Sequence, residues 1–225
     1  MEHIFFEKTT IPPIRAALMD RQDLTPEDLK EINELKSIGE KINDEKGNGR
    51  EDYFSTKINE KPKYSTDYIM CTGVVAVGKS TENGKQLSFL THNLFPSLNS
   101  EEKDLHTKKI YQNNFTNQLE NFISLVDKNS IDIVILGGVA SGNKTIFKDP
   151  SWQNYKDAVL DQSKIIENIL GIKPLVITGP QDWGRTDVYL DTQNRRLFII
   201  REKQENSKRN EHYDIDSFDK QKKKW

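Results

Sequence analysis

"CTGVVAVGKST", residues 71–81, decides how this chain is read. From Gly73 to Ser80 it spells G-x-x-x-x-G-K-S, the pattern of a phosphate-binding loop. From Cys71 it is a single cysteine leading an apolar strand. A phosphate loop turns backbone N–H groups toward the anion and opens a helix directly after its lysine. Val74, Val75, Ala76 and Val77 lie between the two glycines. The three valines are β-branched, stiff at χ1 and poorly suited to the tight turns of such a loop. Ser80-Thr81-Glu82-Asn83-Gly84 then carries Asn-Gly, a hairpin signal, and Lys85 to His92 reads as a returning strand. The stretch is a strand entering a hairpin, with Lys79 and Ser80 at its polar end.

That reading brings chemistry together. If residues 78–85 make the turn, Cys71 and His92 fall opposite one another on one face, and a slip of one residue separates them. An imidazole beside a thiol takes its proton and leaves a thiolate–imidazolium pair. The thiolate attacks a carbonyl and the imidazolium protonates the leaving amine. Backbone N–H groups near Cys71, around Thr72 and Gly73, are the candidates for stabilising the tetrahedral intermediate. Ser65 and Thr66, just upstream, are the candidates for orienting the imidazole. The competing reading makes Cys71 a small buried hydrophobe.

Composition narrows the alternatives. The chain has 225 residues and carries 33 basic against 35 acidic side chains, a net charge of −2. This balance gives no general drive toward nucleic acid or an anionic membrane. No run reaches the roughly 18 apolar residues of a membrane span. Residues 1–8 lack the basic start and long apolar run of a secretory signal. One cysteine rules out an internal disulfide and suits a reducing compartment. A cytoplasmic location is expected, with export to a host cell as the alternative. His3, His92, His106 and His212 are scattered, and a zinc site needs three or more ligands, so no metal is expected.

Three regions are expected. Residues 1–60 read as an N-terminal extension. In it Thr25-Pro26-Glu27-Asp28 opens an amphipathic helix carrying Leu29, Ile32, Leu35, Ile38 and Ile42, closed by Gly47-Asn48-Gly49. Its apolar stripe needs a partner, either the main domain or another protein. Residues 61–201 read as the main domain. "IDIVIL" (131–136) and residues 174–178 are buried strands, and 115–126 and 152–170 are helices. Residues 188–190 and 196–201 form a closing hairpin. Residues 202–225 read as a polar tail. The predicted fold is α/β: a layered α/β/β sandwich with a mixed, largely antiparallel sheet.

Several motifs recur in a fixed order: Cys71 before Val74–Val77; His92 before Leu94-Phe95-Pro96; a strand ending in Gly137-Gly138; Leu170-Gly171-Ile172-Lys173-Pro174 before a strand; and Gly184-Arg185 opening the last hairpin. In this order, over roughly residues 64–201, the chain resembles the chemoreceptor glutamine deamidase CheD and its relatives. The resemblance implies the layered fold shared with cytotoxic-necrotizing-factor-type toxins. It also implies cofactor-free hydrolysis of a glutamine side chain in a partner protein to glutamate. Cys71 would be the nucleophile and His92 the base. The family's third catalytic residue, a Thr a few positions before the Cys, points to Ser65 or Thr66. Thr72, Gly73, Gly137, Gly138 and Arg185 would lie on the substrate side.

Ile69-Met70 stands where the family has Gly-Ser, and a glycine follows Cys71 at Gly73 instead. That departure favours a second reading, a catalytically silent binding or regulatory module of the same fold. A third is a metal-dependent nucleoside enzyme of a related fold.

Overall fold

The computed structural model describes residues 13–42, 53–68, 71–93, 101–137, 150–178 and 184–203. Among the described residues there are ten strands and three α-helices. In chain order the first elements are β1 (Arg15–Asp20), α1 (Pro26–Ile38), β2 (Glu40–Lys41), β3 (Tyr53–Ser55), β4 (Lys63–Tyr68), β5 (Thr72–Lys79) and β6 (Gln86–Asn93). They continue with α2 (Glu101–Leu125), β7 (Asp132–Gly137), α3 (Pro150–Leu170), β8 (Leu175–Thr178), β9 (Gly184–Asp191) and β10 (Arg196–Lys203). One sheet has the order β1-β10-β9-β4-β2 and the other β3-β6-β5-β7-β8. Pairing is mostly antiparallel, with parallel pairs at β1–β10, β2–β4 and β7–β8.

The opening stretch is a strand, so the phosphate-loop reading falls. β5 is buried from Thr72 through Gly78. Its apolar run is continuous because both of its faces are covered. One face, with Val75 and Val77, meets Leu90, Val134 and Leu136 and the apolar residues Val188, Leu190, Leu197 and Ile199 of the other sheet. The opposite face, with Val74 and Ala76, packs under Phe115, Leu119 and Phe122 of α2 and Val159 and Ile166 of α3. Each fully buried valine contributes about 1.5–3 kcal/mol relative to exposure.

The N-terminal part is no appendage. β1 pairs with β10, β2 with β4 and β3 with β6, so residues 15–55 supply strands to both sheets. β2 and β3 have only two and three residues, too few to show a pattern, while β1, with its apolar Ala16 to Met19, takes its place as an edge strand through pairing with β10. Helix α1 finds its partner within the domain. Ile32 and Leu35 pack on Tyr189, Phe198 and Ile200, covering the outer face of the first sheet. The layers therefore run α/β/β/α, one helix layer more than predicted. The capping box forms: Thr25 Oγ1 accepts from the Asp28 N–H, and Asp28 accepts from the Thr25 N–H. The helix ends at Ile38, well before Gly47. Gly39 follows it, where a Cβ would sit 2.5 Å from the Leu35 carbonyl oxygen. Residues 43–52 and 204–225 lie outside the described residues.

Candidate active site

The hairpin turn spans Ser80 to Lys85, tighter than the predicted 78–85, and closes with Ser80 N–H donating to the Lys85 carbonyl. The register moves with it. Thr72 pairs with Asn93 and Val75 with Leu90, which sets Gly73, not Cys71, across from His92. A shift of two residues keeps the side-chain phase. Cys71 and His92 therefore share the face turned toward the other sheet, and Cys71 belongs to the apolar cluster between the sheets. Cys71 is buried, 6% exposed, and His92 is half-buried.

The other sheet supplies the rest through an irregularity. β4 pairs with β9 at Ser65–Val188 and again at Tyr68–Thr186, so one extra residue is inserted between these pairs. Asp67 takes up the insertion at φ 65°. Without this bulge, residues three apart would face opposite sides of the strand. With it, Ser65 and Tyr68 both point inward, 3% and 0% exposed. Ser65 Oγ lies 2.9 Å from His92 Nδ1. Of the two upstream candidates, Ser65 makes this contact, while Thr66 sits half-buried in the bulge.

Tyr68 was not among the residues expected here. Its ring stacks on His92, centroids 4.0 Å apart, and its hydroxyl donates to the Thr91 carbonyl at 2.7 Å. Burial raises the Tyr68 pKa far above the usual phenol value. The Ser65 hydroxyl, as a hydrogen-bond partner, opposes that rise, and the negative form of Cys71 adds to it. No periodic pattern reveals Tyr68, because the bulge that turns it inward breaks the period-two alternation of β4.

Two of the expected substrate-side glycines make room for this ring. A Cβ on Gly73 would lie 2.8 Å from the Tyr68 Cε1 and 2.5 Å from the Thr91 carbonyl oxygen. Gly137, at φ 91°, would place one 2.7 Å from the Cys71 carbonyl oxygen and 3.1 Å from the Tyr68 Cδ1. Both therefore seat Tyr68. Thr72 is 1% exposed and faces the helices, where its hydroxyl accepts from the Gln162 amide at 2.9 Å, so its side chain is turned away from His92. Gly138 lies outside the described residues. Arg185 is engaged elsewhere, bonded to Glu202 at 2.6 Å and Asp67 at 3.1 Å. Glu202 raises its pKa further. Asp187 accepts from the Asp67 N–H at 3.0 Å and pairs with Arg21. Arg185, Asp187 and Arg21 thus brace the bulge.

Among the described residues there is no group of three or more His, Cys, Asp or Glu able to hold a metal ion. No described helix is long and apolar enough to cross a membrane. Comparison of the chain with protein-family models gives no match, and comparison with curated proteins gives none. The functional reading therefore rests on the geometry of Cys71, His92, Ser65 and Tyr68.

Proposed function

We propose that the chain is a cysteine amidohydrolase of the CheD-like type, converting a glutamine side chain of a partner protein to glutamate. One observation carries the reading: Ser65 Oγ at 2.9 Å from His92 Nδ1, on the face that also holds Cys71. A nucleophile, a base on the same face and a hydroxyl orienting the base are the elements of nucleophilic acyl transfer.

The steps balance without a cofactor. His92 takes the Cys71 proton, and the sulfur attacks the carboxamide carbon, forming the C–S bond. The imidazolium returns the proton to the amide nitrogen as the C–N bond breaks and ammonia leaves. Water, deprotonated by His92, then attacks the thioester. The C–S bond breaks, leaving glutamate and the restored thiol.

Iodoacetamide alkylation of Cys71 across pH, repeated with His92→Ala, tests the pair. The reading predicts a reactive thiol titrating below the ordinary value of about 8.5, moving toward it in the variant. A thiol that titrates near that value with and without His92 overturns the catalytic pair. The burial of Cys71 would then favour the silent binding module. Given a reactive pair, candidate partner proteins are searched by mass spectrometry for the conversion of one amide to an acid.

A further inference from the structure

The ladder between β5 and β6 is interrupted beside the site. Pairing runs from Thr72–Asn93 to Val75–Leu90 and omits the two positions between them, where Gly73 faces His92 and Val74 faces Thr91. The Val74 N–H points at β6, and its regular acceptor there is the Thr91 carbonyl. It donates instead to Thr91 Oγ1 at 2.9 Å, and the carbonyl accepts from the Tyr68 hydroxyl at 2.7 Å. Tyr68, Val74 and Thr91 are all 0% exposed, so these two bonds satisfy groups that water does not reach. Gly73 registers the displacement. A Cβ there would point to the inner face, as Val75 does, and would lie 2.5 Å from the Thr91 oxygen and 2.9 Å from the Tyr68 hydroxyl oxygen. The carbonyl has thus left the plane of the sheet for the face that holds Tyr68.

We propose that Tyr68 is a positioning residue whose hydroxyl draws the Thr91 carbonyl out of the ladder and so sets the plane of the peptide that carries His92. A peptide unit is planar, so turning its carbonyl turns the N–H and Cα of His92 with it. The Tyr68 ring then meets the imidazole, centroids 4.0 Å apart. One side chain holds both the backbone and the ring of the base. Gly73 leaves the space into which the carbonyl turns, and Thr91 Oγ1 keeps the Val74 N–H satisfied, which offsets the missing ladder bond. The consequence for catalysis rests on the reading of Cys71 and His92 as the reacting pair, but the position of the carbonyl does not.

The test is NMR of the full chain labelled with carbon-13, nitrogen-15 and deuterium, reading the scalar coupling carried across backbone hydrogen bonds. In the wild type, the Val74 nitrogen should show no coupling to the Thr91 carbonyl carbon. Tyr68→Phe keeps the ring and releases the carbonyl, so the coupling should appear. The same variant should slow alkylation of Cys71 by iodoacetamide about tenfold at neutral pH and move its pH profile toward that of a free thiol. A coupling in the wild type overturns the proposal. So does its absence in Tyr68→Phe, or its appearance there with the alkylation profile unchanged. If Tyr68→Phe does not fold, Thr91→Val decides, because it removes the substitute acceptor and leaves Tyr68 in place. The coupling should then stay absent and the Val74 amide should exchange faster. A coupling that appears in Thr91→Val would assign the displacement to Thr91 Oγ1 and overturn the role of Tyr68. The couplings involve neither substrate nor thiol. A wild-type thiol titrating at its ordinary value thus defeats the catalytic pair, and a wild-type coupling defeats the positioning role, as separate failures.

Discussion

Tyr68 lies over His92 with ring planes 13° apart, joining a strand of one sheet to a strand of the other. The contact exists because β4 gains a residue at Asp67. It connects the backbone geometry of the first sheet to the imidazole of the second.

Ser65 and Thr66 should separate cleanly. Ser65→Ala removes the hydroxyl that meets His92 Nδ1 and should slow alkylation of Cys71 at neutral pH about tenfold. Thr66→Ala should change it by no more than about twofold. Parallel rate measurements on the two variants check this. Equal effects would remove Ser65 from its orienting role.

Gly73→Ala should destabilise the fold by crowding the Tyr68 ring. The added methyl would sit 2.5 Å from a backbone oxygen and against the Tyr68 ring. A cost of about 2–3 kcal/mol is expected from overpacking. Urea denaturation gives the value, and a loss of the Tyr68 to His92 nuclear Overhauser contacts would show the ring displaced.

Asp187→Ala should weaken the bulge. Asp187 is 4% exposed and accepts from the Asp67 N–H at 3.0 Å. Leaving that donor without a partner should cost about 2 kcal/mol. Alkylation of Cys71 should slow as well, because Ser65 and Tyr68 lose their common alignment. Unchanged alkylation in a folded variant would show that the bulge holds its shape without Asp187.

The Glu40–Lys63 pair predicts a pH effect. Lys63 is 0% exposed, and its ammonium donates to Glu40 at 3.1 Å and to Asn59. Burial lowers the Lys63 pKa, and Glu40 offsets part of that. For Glu40, burial alone would raise the pKa. The Lys57 N–H, Asn59 and Lys63 together hold it below the usual value. A depressed carboxylate contributes its full stability above the unfolded pKa of about 4.3 and loses it as pH falls through the folded value. Glu40→Gln should cost about 1–2 kcal/mol at pH 7, reduced by solvent screening of this half-buried carboxylate. The gap to wild type should close on acidification below that unfolded value. Denaturation midpoints of the two proteins at pH 7 and below pH 4 (about the unfolded value) measure it.

What the sequence disclosed follows from how each feature is encoded. Val74–Val77 and Ile133–Leu136 are buried on both faces, and continuous apolar runs announce such strands. The shared face of Cys71 and His92 was legible because only the parity of the register matters. An error of two residues in the turn left it intact. Tyr68 was illegible because the bulge that turns it inward is written as an ordinary Thr66-Asp67. The roles of Gly73 and Gly137 went with it, since a glycine shows that space is needed without showing what fills it. The edge strands β2 and β3 were missed because they have only two and three residues, and β1, despite its apolar Ala16 to Met19, because its pairing with the distant strand β10 determines it.

The parallel pairing of β1 with β10 joins residue 15 to residue 196, the first described strand to the last. During synthesis on a ribosome, β1 emerges long before its hydrogen-bonding partner exists. The first sheet cannot acquire β1 until β10 has also emerged. Closure of this sheet is thus a late event, slow by virtue of its separation along the chain. Until then β9 and β10 residues such as Val188 and Ile199, which line the space around Cys71, have no complete layer to belong to. Cys71, which lies among those residues, therefore reaches its final surroundings only when that layer is complete.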